Sequence, residues 1–127
     1  MYADDRRLYP PYFSPAVILA PKSAGIQYAG VMSIPPAIYI TASQRNGTLY
    51  VGVTGALRER VYQHREGLVD RFTKQYGVKM LVHFEFLASM PEAIAREKQL
   101  KKLLRKAKLA LIERGNPQWR DLWLDIQ

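Results

Sequence analysis

The sequence predicts one α/β domain of the α+β type, with a three-stranded sheet flanked by helices, behind an irregular N-terminal tail. The chain has 127 residues, which is the size of a single domain. Six of its eight prolines fall in residues 1–36, where no period of 2 or 3.6 is sustained, so we expect an irregular or disordered tail there. Residues 37–127 show strand-like and helix-like patterns, and we expect them to form the domain.

Two of the strands are predicted to form a β-hairpin. The segments AIYITAS (37–43) and TLYVGVT (48–54) are rich in β-branched and aromatic residues. Asn46-Gly47 lies between them and favours a two-residue turn, which would place Tyr39 opposite Thr54. Because side chains alternate along a strand, one face of the hairpin is then aliphatic. The other face carries Tyr39, Thr41, Tyr50 and Gly52.

The first predicted helix opens at Thr54 or Gly55 and runs to about Gly67. Four of its residues are spaced to form one stripe toward the sheet. They are Leu57, Val61, His64 and Leu68. A polar loop should follow, and then a third strand, KMLVHFEFL (79–87), that pairs with the hairpin.

A second, longer helix is predicted after the third strand. Ser89 and Glu92 match a capping box, with Ser89 as the N-cap. We expect this helix to reach about Lys106 and to be followed by a shorter piece over 108–114. The remaining segment, NPQWRDLWLDI (116–126), should turn and pack its apolar residues on the core.

Composition narrows the functional classes. The net charge of +8 favours a polyanionic partner, and nucleic acid is the most common one. There is no cysteine, which excludes disulfides and thiolate metal sites and suits a reducing cytoplasm. No apolar run approaches the roughly 20 residues of a membrane span, so we expect no membrane partner.

Several polar residues border the predicted core on the tyrosine side of the hairpin. Tyr39 and Tyr50 flank Gly52, and a glycine within a strand often marks the close approach of a ligand or of backbone. Arg60 and His64 follow on the first helix, four residues apart. Tyrosines also serve as ordinary strand residues, and an arginine can extend its head group to solvent, so a structural interpretation stays open.

Glu97 is the one ionisable residue on the apolar stripe of the second helix. The stripe is Ala93, Glu97, Leu100, Leu104, Ala107 and Leu111. A carboxylate that faces a core is costly unless it is paired or binds a metal. Glu97 could therefore pair with Arg60, or it could bind a hard divalent cation, which prefers oxygen ligands.

The flanks of the same helix are strongly basic. Residues 96–108 contain seven Lys and Arg and a single Glu. That density indicates a surface that contacts phosphates. Arg96 belongs to these flanks, and the residues that we expect to contact nucleic acid are Lys98, Lys101, Lys102, Arg105 and Lys106.

Five ordered motifs resemble the GIY-YIG nuclease domain. AIY (37–39) and YVG (50–52) are separated by ten residues, and T-x-x-L-x-x-R-x-x-x-H follows over 54–64. AxxxEKxLK around Glu97 and NPxWxDL from Asn116 are similar to the small stand-alone bacterial branch of that family. Ala37 departs from the pattern, because it stands where the first motif has glycine.

The resemblance implies a three-stranded antiparallel sheet with flanking helices, and hydrolysis of phosphodiester bonds with one divalent cation, Mg²⁺ or Mn²⁺. It also implies which residues form the site. The catalytic residues would be Tyr39, Tyr50, Arg60, His64, Glu97 and Asn116, with Glu97 as the metal ligand. We expect the scissile phosphate to occupy the gap above Gly52, and either tyrosine to act as general base if nearby cations lower its pKa.

The predicted function is therefore a DNA endonuclease, structure-selective and active in repair or maintenance. DNA is favoured over RNA as the substrate. The alternative is a module that binds nucleic acid without cleaving it. A purely structural interpretation would make Glu97 and Arg60 a buried ion pair.

Overall fold

Three antiparallel strands form the sheet at the centre of the molecule, as the sequence predicts. The protein is described from a computed structural model, which defines residues 34–68 and 71–127. The central strand is β1 (Ala37–Ala42), with β2 (Leu49–Thr54) on one side and β3 (Met80–Phe86) on the other. The predicted tail over 1–36 lies outside the described residues, except for its last three.

The predicted helices occur in the predicted order, the first two shorter and the last one longer than expected, and one further helix forms before the third strand. The helices are α1 (Leu57–Arg65), α2 (Arg71–Tyr76), α3 (Met90–Lys101), α4 (Arg105–Gly115) and a 3₁₀ helix (Leu122–Ile126). The predicted polar loop before the third strand is wrong in part, because α2 forms there. Leu68 is exposed rather than buried, because α1 ends before reaching it.

Both faces of the sheet are covered, and each face has its own core. The aliphatic side chains of β1 and β2 pack with residues of α3 and α4, among them Leu100 and Ile112. The opposite face, which carries Tyr39, packs with Leu57 and Val61 of α1 and with the 3₁₀ helix. The division of the hairpin into an aliphatic and a tyrosine face is thus confirmed, and so is the packing of the C-terminal segment.

The register of the hairpin differs from the prediction by two residues. The loop is longer than Asn46-Gly47, because the Ser43 N–H donates to the Thr48 carbonyl at 3.0 Å and the Gly47 N–H to the Gln44 carbonyl at 2.9 Å. Tyr39 therefore lies opposite Gly52 instead of opposite Thr54. A shift of two residues leaves each side chain on its predicted face, because strand side chains alternate with a period of two.

Helix α3 presents Arg96, and not Glu97, to the core. Arg96 is 1% exposed, and its Nε and Nη2 donate to the two carboxylate oxygens of Glu85 on β3 at 2.8 and 3.0 Å. Nε2 of His83 lies 2.8 Å from the same carboxylate, and Nη1 of Arg96 donates to Gln99 at 2.7 Å. The placement of Arg96 on the exposed flank was wrong, because a buried carboxylate on β3 pairs with it.

The pKa of Glu85 reflects this pairing. Burial by itself raises the pKa of the carboxyl, because it disfavours the charged form. Hydrogen bonds to His83 and Arg96, together with the positive charge of the Arg96 guanidinium, outweigh burial and hold the pKa below its ordinary value of 4.5. The pair is therefore ionised and fully bonded within the core.

The break between α3 and α4 comes earlier than predicted. Lys102 is the C-cap of α3 and Leu104 the N-cap of α4, so the helix does not continue to Lys106. Leu103 packs against the aliphatic core, whereas Leu104, which the stripe predicts to be buried, is 80% exposed. Nη2 of Arg105 then donates to the carbonyls of Asn46 and Gly47, which ties α4 to the hairpin loop.

Replacing Arg96 should destabilise the fold strongly. We expect Arg96→Met to lower the free energy of unfolding by about 3–5 kcal/mol, because it leaves the Glu85 charge buried without its main partner. Urea denaturation measures the change. Lys98→Met, an exposed position on the same helix, is the matched control and should stay within about 0.5 kcal/mol of the wild type. Equal effects of the two substitutions would contradict this prediction.

Acid should weaken the Glu85–Arg96 pair. The pKa of Glu85 is lower in the folded than in the unfolded protein. The ionised carboxylate therefore stabilises the fold fully at a pH above the unfolded-state pKa, and this stabilisation is lost as the pH falls through the folded-state pKa. Between about pH 5 and about pH 2, the free energy of unfolding should therefore fall less steeply in Glu85→Gln than in the wild type. Urea denaturation across this range tests it, and parallel curves would refute it.

Candidate functional site

Three aromatic side chains meet on the tyrosine face of the sheet. Oη of Tyr39 lies 2.9 Å from Nε2 of His64, within hydrogen-bond distance, and both residues are buried. The ring of Tyr50 lies 6.3 Å from that of Tyr39 and 5.1 Å from that of His64, measured between centroids. The structure thus brings together three of the predicted site residues, with the less buried Tyr50 at the margin.

Gly52 is needed to accommodate Tyr39. The two residues are directly opposite on β1 and β2, and a Cβ atom at Gly52 would lie 2.4 Å from both Cζ and Oη of Tyr39. The space above Gly52 is therefore filled by a phenol ring. The prediction that this gap receives the scissile phosphate is wrong, because the glycine makes room for a neighbouring side chain instead of a ligand.

Helix α1 is fixed at both ends, which determines where His64 lies. At its start, Oγ1 of Thr54 accepts a hydrogen bond from the Ala56 N–H at 2.9 Å. At its end, Nη1 of Arg65 donates to Asp121 at 2.6 Å, and the guanidinium lies 5.2 Å from the ring centroid of Trp123. These contacts were not predicted from the sequence, where their only sign is an acidic residue, Asp121, just before the apolar C-terminal segment.

Arg60 lies one turn before His64 on α1 and is half-buried. Within residues 34–68 and 71–127, its guanidinium makes no hydrogen bond or ion pair. With respect to these residues, its donors are open to a ligand. A planar guanidinium suits the paired oxygens of a phosphate.

Glu97 lies on α3 with its side chain 13% exposed. One of its oxygens is 2.8 Å from Nζ of Lys101, so the alternative of a buried pair with Arg60 is wrong. In the described part of the chain, no group of three or more His, Asp or Glu is placed to hold a metal ion. A single carboxylate still fits Mg²⁺, which keeps several waters and takes further oxygens from substrate phosphates.

The hydrogen bonds of the Asn116 side chain connect segments of the fold. Its Nδ2 donates to the carbonyls of Val82 and Arg120 at 3.2 and 2.8 Å, and its Oδ1 accepts from the Arg120 N–H at 3.0 Å. These bonds join β3 to the C-terminal segment that also carries Asp121. The catalytic role that the resemblance implies for Asn116 stays a prediction.

The predicted nucleic-acid-binding cations lie on the surface around the α3–α4 break. All five are exposed: Lys98, Lys101, Lys102, Arg105 and Lys106. Two of them have recorded partners, since Lys101 contacts Glu97 and Arg105 contacts the hairpin loop. The other three, on α3, at its C-cap and on α4, are exposed to solvent.

The fold and the ordered set of tyrosine, arginine and histidine define the class of protein, a domain of the nuclease superfamily. The chain belongs to the GIY-YIG family: the model of the GIY-YIG catalytic domain matches residues 35–110. This confirms the resemblance found in the sequence. None of the described helices is long and apolar enough to cross a membrane.

Curated relatives carry the name UPF0213 protein. The chain is 40% identical over 68 residues to one from Clostridium perfringens, which covers 54% of this chain and 73% of the relative. It is 33% identical over 78 residues to one from Staphylococcus saprophyticus, covering 61% and 94% of the two chains. A third, from Syntrophus aciditrophicus, is 38% identical over 72 residues, which cover 56% of this chain and 82% of the relative. No solved structure gives a significant match.

Adding a methyl group at Gly52 should disturb the aromatic cluster. We expect Gly52→Ala to lower the free energy of unfolding by about 1–3 kcal/mol, because the new Cβ must displace the Tyr39 ring. Chemical denaturation measures the loss. Gly115→Ala is the matched control, since a Cβ there meets nothing within 4 Å. If Gly52→Ala were as stable as the wild type, the close packing of the Tyr39 ring on Gly52 would be contradicted.

Proposed function

We propose that this protein is an endonuclease that hydrolyses phosphodiester bonds in DNA with the help of one divalent cation, Mg²⁺ or Mn²⁺. The observation that carries the proposal is the 2.9 Å contact between Oη of Tyr39 and Nε2 of His64, within a domain of the GIY-YIG family. A phenol held against an imidazole can pass a proton, and hydrolysis requires a group that takes a proton from water.

The proposed proton path runs from water to Tyr39 and on to His64. The phenol oxygen takes the proton of the attacking water as its own proton moves to Nε2 of the imidazole. The step requires Nε2 to be the unprotonated nitrogen of His64. Tyr39 is 1% exposed, and burial disfavours a free phenolate, so the two transfers are expected to be concerted.

Tyr50 and Arg60 would contact the substrate directly. Tyr50 is the less buried phenol and lies beside Tyr39, so it would be the first of the two to meet a phosphate. Arg60 has free donors among the described residues and is suited to offset the negative charge that develops on the phosphate. Glu97 would hold the metal ion, which when bound supplies Lewis-acid chemistry at the phosphate.

The cations around the α3–α4 break would hold the rest of the DNA. Backbone phosphates provide most of the affinity of such a surface, and they carry no sequence information. Within the described residues there is no helix-turn-helix or zinc module, so recognition by DNA structure is favoured over recognition by sequence. We propose a role in DNA repair or maintenance on this basis.

Cleavage should depend on Tyr39 and Glu97. A panel of single-stranded, duplex, flap and branched DNAs is incubated with Mg²⁺ or Mn²⁺ and the wild-type protein. We expect Tyr39→Phe to lower the cleavage rate by about 10²–10⁴-fold, because the proton acceptor is lost. Glu97→Gln should abolish cleavage while the dissociation constant for DNA stays close to that of the wild type.

Tyr62→Phe is the matched control, because Tyr62 is an exposed tyrosine on the outer side of α1, and it should cleave at the wild-type rate. All variants are purified identically, so a contaminating nuclease would cleave in every sample. Wild-type rates in Tyr39→Phe or Glu97→Gln would refute the mechanism. A wild-type protein that binds DNA but cleaves no member of the panel would be a binding module.

A further inference from the structure

Leu104 is an apolar side chain that the fold turns outward. At 80% it is the most exposed of the large hydrophobic residues in the described part of the chain. Its neighbour Leu103 packs on the aliphatic core, so the break between α3 and α4 separates the two leucines, one inward and one outward. The folded chain alone gains nothing from this exposure, whereas a partner that covered Leu104 would remove its apolar surface from water, which is favourable.

The surroundings of Leu104 are cationic. From Lys98 to Ile112, both included, there are six Lys and Arg and no acidic residue. The four cations nearest in sequence are exposed: Lys101, Lys102, Arg105 and Lys106. Glu97 is the first acidic residue before this stretch, and it is paired with Lys101.

The backbone around Leu104 is held by hydrogen bonds. Its carbonyl accepts hydrogen bonds from the N–H groups of Ala107 and Lys108 at 3.0 and 3.1 Å, as the first turn of α4 requires. On the next residue, the guanidinium of Arg105 bonds to the carbonyls of Asn46 and Gly47 at 2.7 and 2.6 Å. The backbone of the leucine is thus fixed between a buried residue and an anchored one.

The positive charge around Leu104 indicates which kind of partner this surface would bind. A second copy of this chain would bring an equal cluster of cations against the first, which is repulsive. A nucleic acid offers phosphates to the cations and apolar base faces to the leucine. Proteins that bend DNA insert leucine and similar side chains between base steps in this way, flanked by basic residues.

We propose that Leu104 is a wedge that enters a weakened base step of duplex DNA, while Lys101, Lys102 and Lys106 hold the adjacent phosphates. The favoured substrates would be duplexes with a bulge, where unstacking a step costs less than in a perfect duplex. This inference rests on the proposed DNA-binding function and adds to it the feature of DNA that is recognised. Because α3 also carries Glu97, the distortion and the cut would be close together.

Two duplexes of the same sequence test the wedge, one perfectly paired and one with a single-nucleotide bulge beside a 2-aminopurine. Binding is measured with the full chain in EDTA, by anisotropy, and base unstacking is measured by 2-aminopurine fluorescence. The wild type should bind the bulged duplex more tightly and raise its fluorescence. In Leu104→Ala, affinity for the bulged duplex should fall by about tenfold and the fluorescence should not rise.

Leu124→Ala is the matched control. Leu124 is 70% exposed on the 3₁₀ helix, which packs on the other face of the sheet, so its variant should behave as the wild type does. Lys102→Ala tests the phosphate contacts separately: it should weaken both duplexes alike and reduce the salt dependence of binding by about one ion. Leu104→Ala should keep the wild-type salt dependence and the wild-type affinity for the perfect duplex.

The outcomes separate this inference from the proposed function. Wild-type preference and fluorescence in Leu104→Ala would refute the wedge, and the nuclease proposal would stand if the protein still cleaves DNA. If the wild type binds neither duplex, the DNA-binding function and the wedge both fail. A general loss of affinity for both duplexes in Leu104→Ala would also overturn the wedge, because the leucine would then act without regard to base stacking.

Discussion

The buried ion pair between Glu85 and Arg96 fixes the rotation of α3, and most of the proposed functional surface follows from that rotation. With Arg96 directed to β3, the next residue, Glu97, lies at the margin of the helix, where its carboxylate is near solvent. Three residues after α3 ends, Leu104 points outward. A buried charge tolerates few alternative partners, so the pair specifies one orientation that leucines alone would leave less defined.

The opposite face of the sheet depends on a different constraint, the space for one phenol ring. Tyr39 is on the central strand and reaches His64 only because Gly52 on the neighbouring strand has no side chain. The clamp of Arg65 on Asp121 then holds the end of α1 over the sheet. The helices that carry His64 and Glu97 are therefore held in place by separate interactions.

The sequence predicted the strands and the helices well, because apolar periodicity is a local property. The prediction was less successful where two apolar spacings fit the same helix equally well. The stripe 93–97–100 and the stripe 93–96–100 both satisfy helical spacing, and only the carboxylate on β3 decides for Arg96. The hairpin register also failed, since Asn46-Gly47 can end a longer loop as well as form a short one. Contacts between distant segments, such as Arg65 with Asp121, leave no periodic signal.

The Glu97–Lys101 contact joins the two halves of the proposed mechanism. The lysine side chain is 53% exposed, so a phosphate in solution can reach it while it is paired with Glu97. Lys101 is also one of the cations next to Leu104. A phosphate that draws Lys101 away would leave the carboxylate open to a metal ion at the same moment. Binding of the nucleic acid and assembly of the metal site would then be coupled through one helical turn of α3.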